Sequence, residues 1–141
     1  MHMRSFQPAD LAAVINIADA AWRPIRQMGR DALGDRIADV LHPEGDAVSK
    51  GWEIQAQLQS GDYEIMICEH EHRAVGFITF RIDGAVGELC NNAALPGCGV
   101  KGVGQTMYRA VLETFRARGV KVARVTTGLD WSHAPARRAY E

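Results

Sequence analysis

Cysteine is scarce in this chain: Cys68, Cys90 and Cys98 are the only three, and no Cys-x-x-Cys pair occurs. A sparse, odd set fits reduced thiols in a cytosol and excludes a disulfide frame. The longest apolar runs fall far short of the ~20 residues a membrane-spanning helix needs. The opening Met1-His2-Met3-Arg4-Ser5-Phe6 has no apolar signal core behind a basic end. The expectation is a soluble, cytoplasmic protein with no membrane partner. Charge of one sign is also missing, the formal net charge being -1. That argues against nucleic acid, whose phosphates are met by basic surfaces. The one basic cluster, Arg137-Arg138 with Lys121 and Arg124 upstream, reads as a solvated face. The five histidines are scattered. His70 and His72 flank Glu71 in a turn, and no set of about four spaced zinc ligands exists, so no metal is expected. Repeats, low-complexity tracts and linkers are absent as well. Residues 1–141 therefore read as one domain, with 47% apolar residues to build its core.

What is present has a clear order. Met3–Phe6 reads as a strand. Pro8 suits the first turn of a helix, and Leu11, Val14, Ile15, Ala18, Trp22 and Ile25 recur on one face of it. Pro24 is expected to limit that helix at its C-terminal end. Asp31–Leu41 and Val48–Ser60 look like further helical pieces, broken by His42-Pro43-Glu44-Gly45. The period then changes. Tyr63–Glu69, Ala74–Asp83 and Val86–Leu95 read as three strands of an antiparallel meander, with Asp83-Gly84 a hairpin turn. A helix over Gly102–Arg118 buries Val103, Met107, Val111 and Phe115, with Tyr108 and Leu112 at the edge of that face. Val120–Thr127 is strand-like, and His133–Tyr140 begins a last helix. The expected order is β-α-α-β-β-β-α-β-α.

The chemistry concentrates in Gly97-Cys98-Gly99-Val100-Lys101-Gly102-Val103-Gly104, between a strand and a helix. Glycines let successive backbone N–H groups turn into one concavity, and the helix adds its unpaired first-turn N–H groups and positive dipole end. That combination suits a pyrophosphate. A plain flexible connection is the bland alternative. Gly97-x-Gly99-x-x-Gly102 matches the dinucleotide fingerprint literally. That fingerprint belongs in the first βαβ unit with an acid ~20 residues on, and here Arg124 stands in that region. The Walker A pattern fails because Val103-Gly104 occupies the Lys-Ser/Thr positions.

Gly99-Val100-Lys101-Gly102-Val103-Gly104 resembles the Gln/Arg-x-x-Gly-x-Gly/Ala signature of the GNAT superfamily of acyl-CoA-dependent N-acetyltransferases. Ala93-Ala94-Leu95-Pro96 resembles the strand end before that loop. Ala136-Arg137-Arg138-Ala139-Tyr140-Glu141 resembles the later Asn-x-x-Ala-x-x-x-Tyr-Glu helix. The resemblance is specific over Glu88–Glu141 and general before it. Gly99 departs from the usual Gln or Arg, and His133 stands where an Asn is usual. The family also continues past the position of Glu141 with two more strands, so a C-terminally truncated domain and self-association, as in a homodimer, are expected.

The resemblance implies an α/β (α+β) fold: a mixed, mostly antiparallel splayed sheet with helices on both faces. It implies acetyl-CoA as co-substrate, its pantetheine arm in a gap between the Val86–Leu95 and Val120–Thr127 strands. Backbone groups of Ala93, Ala94 and Leu95 would pair with that arm, and one N–H would hold the oxyanion. Gly99, Val100, Lys101, Gly102, Val103 and Gly104 would bind the pyrophosphate, and His133 would contact the pantetheine. Transfer would be direct, to a primary amine of a small molecule or peptide. Glu88 is the candidate base that deprotonates it, or else a solvated strand residue. Tyr140 matches the family's proton donor to the departing thiolate, or else packs. Asn91 and Asn92 point to opposite faces of their strand, and one of them, Asn92 in the catalytic set, faces the cleft. Trp22, Arg23, Arg26, Asp31, Asp35 and Trp52 are candidates for the acceptor wall. A catalytically silent acyl-CoA-binding domain would share the loop and is the alternative reading; a nucleotide-binding domain of another type is the third.

Overall fold

A computed structural model describes residues 1–43, 50–128 and 133–140. The described residues build a five-stranded sheet, ordered β1(His2–Ser5), β2(Glu64–His70), β3(Arg73–Asp83), β4(Val86–Ala94) and β5(Val122–Val125). The first four strands pair antiparallel, and β4 pairs with β5 in parallel. Helices α1(Leu11–Leu33), α2(Asp35–Leu41) and α3(Lys50–Ser60) lie between β1 and β2 in sequence. Helix α4(Val103–Ala117) precedes β5, and α5(Ala134–Tyr140) follows it.

Two cores form because the sheet buries both faces. On one face Val14, Ile17 and Ala18 of α1 and Ile54 of α3 pack on Ile67, Phe77 and Ala93. On the other, Val103, Met107, Tyr108, Val111 and Phe115 of α4 pack on Cys68, Ile78, Phe80 and Leu89. The 3.6-residue spacing of that α4 stripe leaves no other face to bury. Burial raises the thiol pKa of both Cys68 and Cys90.

Several boundaries differ from the sequence reading. Pro24 does not end α1, which continues to Leu33 and stops at Gly34, whose φ is 79°. An internal proline removes one hydrogen bond, at a cost of about 3 kcal/mol. The good helix formers Arg26, Gln27, Met28 and Arg30 continue the helix beyond it. β5 is shorter than Val120–Thr127, because only Val122–Val125 finds a partner in β4. The Glu44-Gly45 part of the expected break, the Val48 start of the third helix, and Glu141 lie outside the described residues. No helix among the described residues is long and apolar enough to cross a membrane.

Candidate active site

The glycine loop leaves β4 and enters α4. Gly99 and Gly102 have φ of 75° and 78°, where a side chain is strained by roughly 1–2 kcal/mol. The usual Gln or Arg of the resembled motif would carry that strain at Gly99. Gly102 caps α4, and its carbonyl accepts the Thr106 N–H at 3.0 Å. The N–H groups of Val103, Gly104 and Gln105 precede that first helical bond and have no acceptor inside the helix. A Cβ built on Gly99 meets nothing within 4 Å, and one on Gly104 meets only Tyr108 Cε2, at 3.7 Å. The loop thus holds open space lined by N–H donors at a helix's positive end. This donor set fits a diphosphate.

The strand before it is kinked by a bulge. Ile78 pairs with Asn92 and Phe80 with Leu89, so Thr79 alone opposes both Cys90 and Asn91. The Thr79 side chain, with no exposed surface, fills the broken ladder. Its hydroxyl accepts the Asn91 N–H at 2.8 Å and donates to the Asn91 carbonyl at 3.2 Å. Past the bulge β4 and β5 part: pairing covers only Val86–Leu89 with Val122–Val125. Leu95 N–H is committed to the Val75 carbonyl at 2.8 Å. By the alternation of a ladder, the N–H groups of Asn92 and Ala94 point to the opposite edge, where β5 has left. Of the three residues expected to offer backbone groups to the gap, Ala94 is the one whose N–H faces it; those of Ala93 and Leu95 face β3.

The extra residue also changes which side chains share a face. Glu88 and Asn92, four apart, would lie together on a regular strand. Here Asn92 sits on the α4 side, and Glu88 and Asn91 on the α1–α3 side, where Asn91 Nδ2 donates to Gln57 Oε1 at 2.7 Å. On the α4 side the Tyr108 hydroxyl donates to Asn92 Oδ1 at 2.8 Å, and Asn92 Nδ2 donates to the Tyr140 hydroxyl at 3.2 Å. The two tyrosine rings lie 5.0 Å apart. Burial, and then the nearby Tyr140 hydroxyl, push the Tyr108 phenol far above its ordinary range, so it stays protonated. Asn92 and Tyr140, distant in sequence, therefore meet.

Glu88 stands directly across from Arg81, whose Nε donates to Oε2 at 2.7 Å, and Arg124 approaches the same oxygen at 3.3 Å. Arg81, and secondarily Arg124, hold the Glu88 carboxyl below the usual carboxylate range despite its partial burial. His133 precedes the first turn of α5. On the proposed acceptor wall, Lys50 Nζ lies 5.1 Å from the Trp22 ring, Asp35 pairs with Arg30, and Trp52 is largely exposed. Among the described residues no group of three or more His, Cys, Asp or Glu is arranged to hold a metal.

The sequence analysis did not single out Thr79, and it left Tyr108 at the edge of the α4 stripe, where the structure buries it in the core. A hydroxyl in the middle of an apolar strand, and a phenol on the buried stripe of α4, both need partners and were the available signals.

A family model described as the acetyltransferase (GNAT) family matches residues 26–141. No curated protein sequence matches. Solved structures do. The PaiA N-acetyltransferase of Thermoplasma acidophilum, in complex with coenzyme A, is 15% identical with a TM-score of 0.70, over 99% of this chain and 85% of that one. A GNAT family acetyltransferase of Brucella melitensis, in complex with acetyl-CoA, is 21% identical with a TM-score of 0.65, over 97% and 79%. The ribosomal-protein-S18-alanine N-acetyltransferase of Escherichia coli is 16% identical with a TM-score of 0.68, over 98% and 72%. At these identities the likeness is one of fold.

Proposed function

Because the chain belongs to the GNAT family of acetyltransferases, we propose that it moves an acetyl group from acetyl-coenzyme A to a primary amine by direct attack in a ternary complex. One observation carries this reading: Asn92, hydrogen-bonded to Tyr140, stands on the stretch of β4 that β5 no longer pairs, and that stretch leads into the glycine loop at the start of α4. Bound acetyl-coenzyme A supplies an activated acyl group and a thiol leaving group. The N–H groups around Val100–Gly104 hold its diphosphate. An N–H facing the gap, that of Asn92 or of Ala94, receives the negative charge that builds on the carbonyl oxygen. The amine nitrogen forms a bond to the carbonyl carbon and the carbon–sulfur bond breaks. The amine's proton leaves on the Glu88 side, directly or through water, and the Tyr140 hydroxyl gives its proton to sulfur. The bulge suits this division, since it puts the base and the acid on opposite faces of the sheet. The acceptor is a small-molecule or peptide amine; the Escherichia coli neighbour is named for acetylating a protein alanine.

Calorimetric titration with acetyl-coenzyme A tests the loop. Saturable binding is expected, weakened at least tenfold when S-acetylpantetheine, which lacks the diphosphate, replaces it. Equal binding of the two would remove the loop from the site.

The second reading, a catalytically silent acyl-CoA-binding domain, is favoured by one feature: two arginines occupy Glu88. Glu88→Gln separates the two readings. A carboxyl with a lowered pKa is ionised above its ordinary value of 4.5 and gains a proton only as pH falls below it. It does not titrate between about pH 6 and pH 9, and a rising rate there reports the acceptor amine, whose pKa is near 10. The substitution should lower turnover of an accepted amine about 100-fold at each pH, the low end for a general base because the carboxylate is a weak one. The rising limb should stay where it was and acetyl-coenzyme A binding should survive. Unchanged turnover would eliminate Glu88 as the base.

A further inference from the structure

The Asn92 side chain bridges two phenols that come from different helices. Its Oδ1 accepts from Tyr108 of α4, and its Nδ2 donates to Tyr140 of α5. An amide is polar in one sense only, so what sits on Oδ1 decides what faces Tyr140. Tyr108 is 8% exposed and packed on the core beside Met107 and Val111. A buried phenol needs an acceptor, and Oδ1 provides it. With Oδ1 satisfied, Nδ2 presents a proton to the Tyr140 oxygen. The Tyr140 hydroxyl then acts as acceptor toward Asn92, and its own proton is left for a group in the gap.

We propose that Tyr108 is a positioning residue, the head of a one-way chain of donors from Tyr108 to Asn92 to Tyr140 that keeps the Tyr140 proton for the departing sulfur. The inference rests on the reading of Tyr140 as that proton donor. Without the Tyr108 hydroxyl, Tyr140 would be the phenol left to satisfy Oδ1. The amide would turn over and draw the Tyr140 proton away from the gap. Aligned donors also polarise one another, so each bond of the intact chain strengthens the next.

Thiolate absorbance of bound coenzyme A tests this without any acceptor amine. The thiol titrates in wild type, Tyr140→Phe and Tyr108→Phe, each saturated with coenzyme A and checked by thermal melting. A donor aimed at sulfur favours the thiolate, so bound thiol should ionise more readily in wild type than in Tyr140→Phe. Tyr108→Phe, which keeps Tyr140, should lose most of that advantage, about tenfold in ionisation constant, one hydrogen bond's worth. Its affinity for coenzyme A below the thiol pKa should stay within about twofold, which a mere packing defect would not combine with an altered thiol. If Tyr108→Phe is poorly folded, Asn92→Leu breaks the chain at its middle and should show the same loss. Wild-type ionisation in Tyr108→Phe, with Tyr140→Phe altered, overturns the role of Tyr108 and leaves Tyr140 standing. No difference between wild type and Tyr140→Phe overturns the reading of Tyr140, and this inference with it.

Discussion

Gly104→Val is expected to weaken coenzyme A binding by more than about 100-fold, near 3 kcal/mol, with a thermal midpoint close to that of wild type. The reason lies in why each glycine is present. Gly76 and Gly87 serve packing: a Cβ there would come within 2.7 Å of Val103 Cγ1 and 2.5 Å of Phe115 Cε2. Gly99 and Gly102 serve the backbone, through their positive φ. Gly104 serves neither. It lies in the first turn of α4, and the nearest atom to an added Cβ is an ordinary 3.7 Å away. Valine has a better helix propensity than glycine, so the helix loses nothing. The two methyl groups would instead stand over the first-turn N–H groups, in the space a diphosphate needs. Calorimetric titration beside a melting curve checks both halves. A variant that binds normally would place the diphosphate elsewhere.

Thr79→Val is expected to cost about 2–3 kcal/mol of stability, because it leaves the part-buried N–H and carbonyl of Asn91 without the hydroxyl of the fully buried Thr79 that bonds both. For a chain of this size the thermal midpoint should fall by about 6–12 °C. Valine matches threonine in shape, so packing contributes little to the loss. Turnover should fall at least about tenfold at a temperature where the variant is folded, since a positioning error near the chemistry is costly. The bulge turns Asn92 toward Tyr108 and Tyr140 and ends the pairing with β5; a strand that relaxes toward regular pairing moves Asn92 off that face. Denaturant unfolding and steady-state rates measure the two effects. Thr79→Ser, which keeps the hydroxyl, should recover most of the activity. A valine variant with wild-type stability would mean that the bulge holds without Thr79.

Much of this molecule was legible because its signals are local. The apolar stripe Val103, Met107, Val111, Phe115 repeats at helical spacing, and α4 formed on it. The meander followed from strand alternation and from Asp83-Gly84, and β3 and β4 pair across that turn. The loop announced itself by glycines ahead of an amphipathic helix. Pro24 misled because one lost hydrogen bond weighs less than the helix-forming residues on either side of it.

The site divides along the same line. Its proposed anion-binding half depends on backbone N–H groups at a helix start, which neighbouring residues in the chain create, so the sequence by itself determined where those donors would stand. Its other half depends on which side chains meet. Period-two alternation puts Glu88 and Asn92 on one face, and a bulge one residue long puts them on two. Nothing local encodes that bulge. It exists because Thr79, on the neighbouring strand, bonds both backbone groups of Asn91. Likewise Tyr108, Asn92 and Tyr140 come from α4, β4 and α5 and touch only once all three pack on the sheet. Tertiary structure alone decided that contact, because a hydrogen bond between distant residues is set by position in space, and the chain's pattern records only position along the backbone.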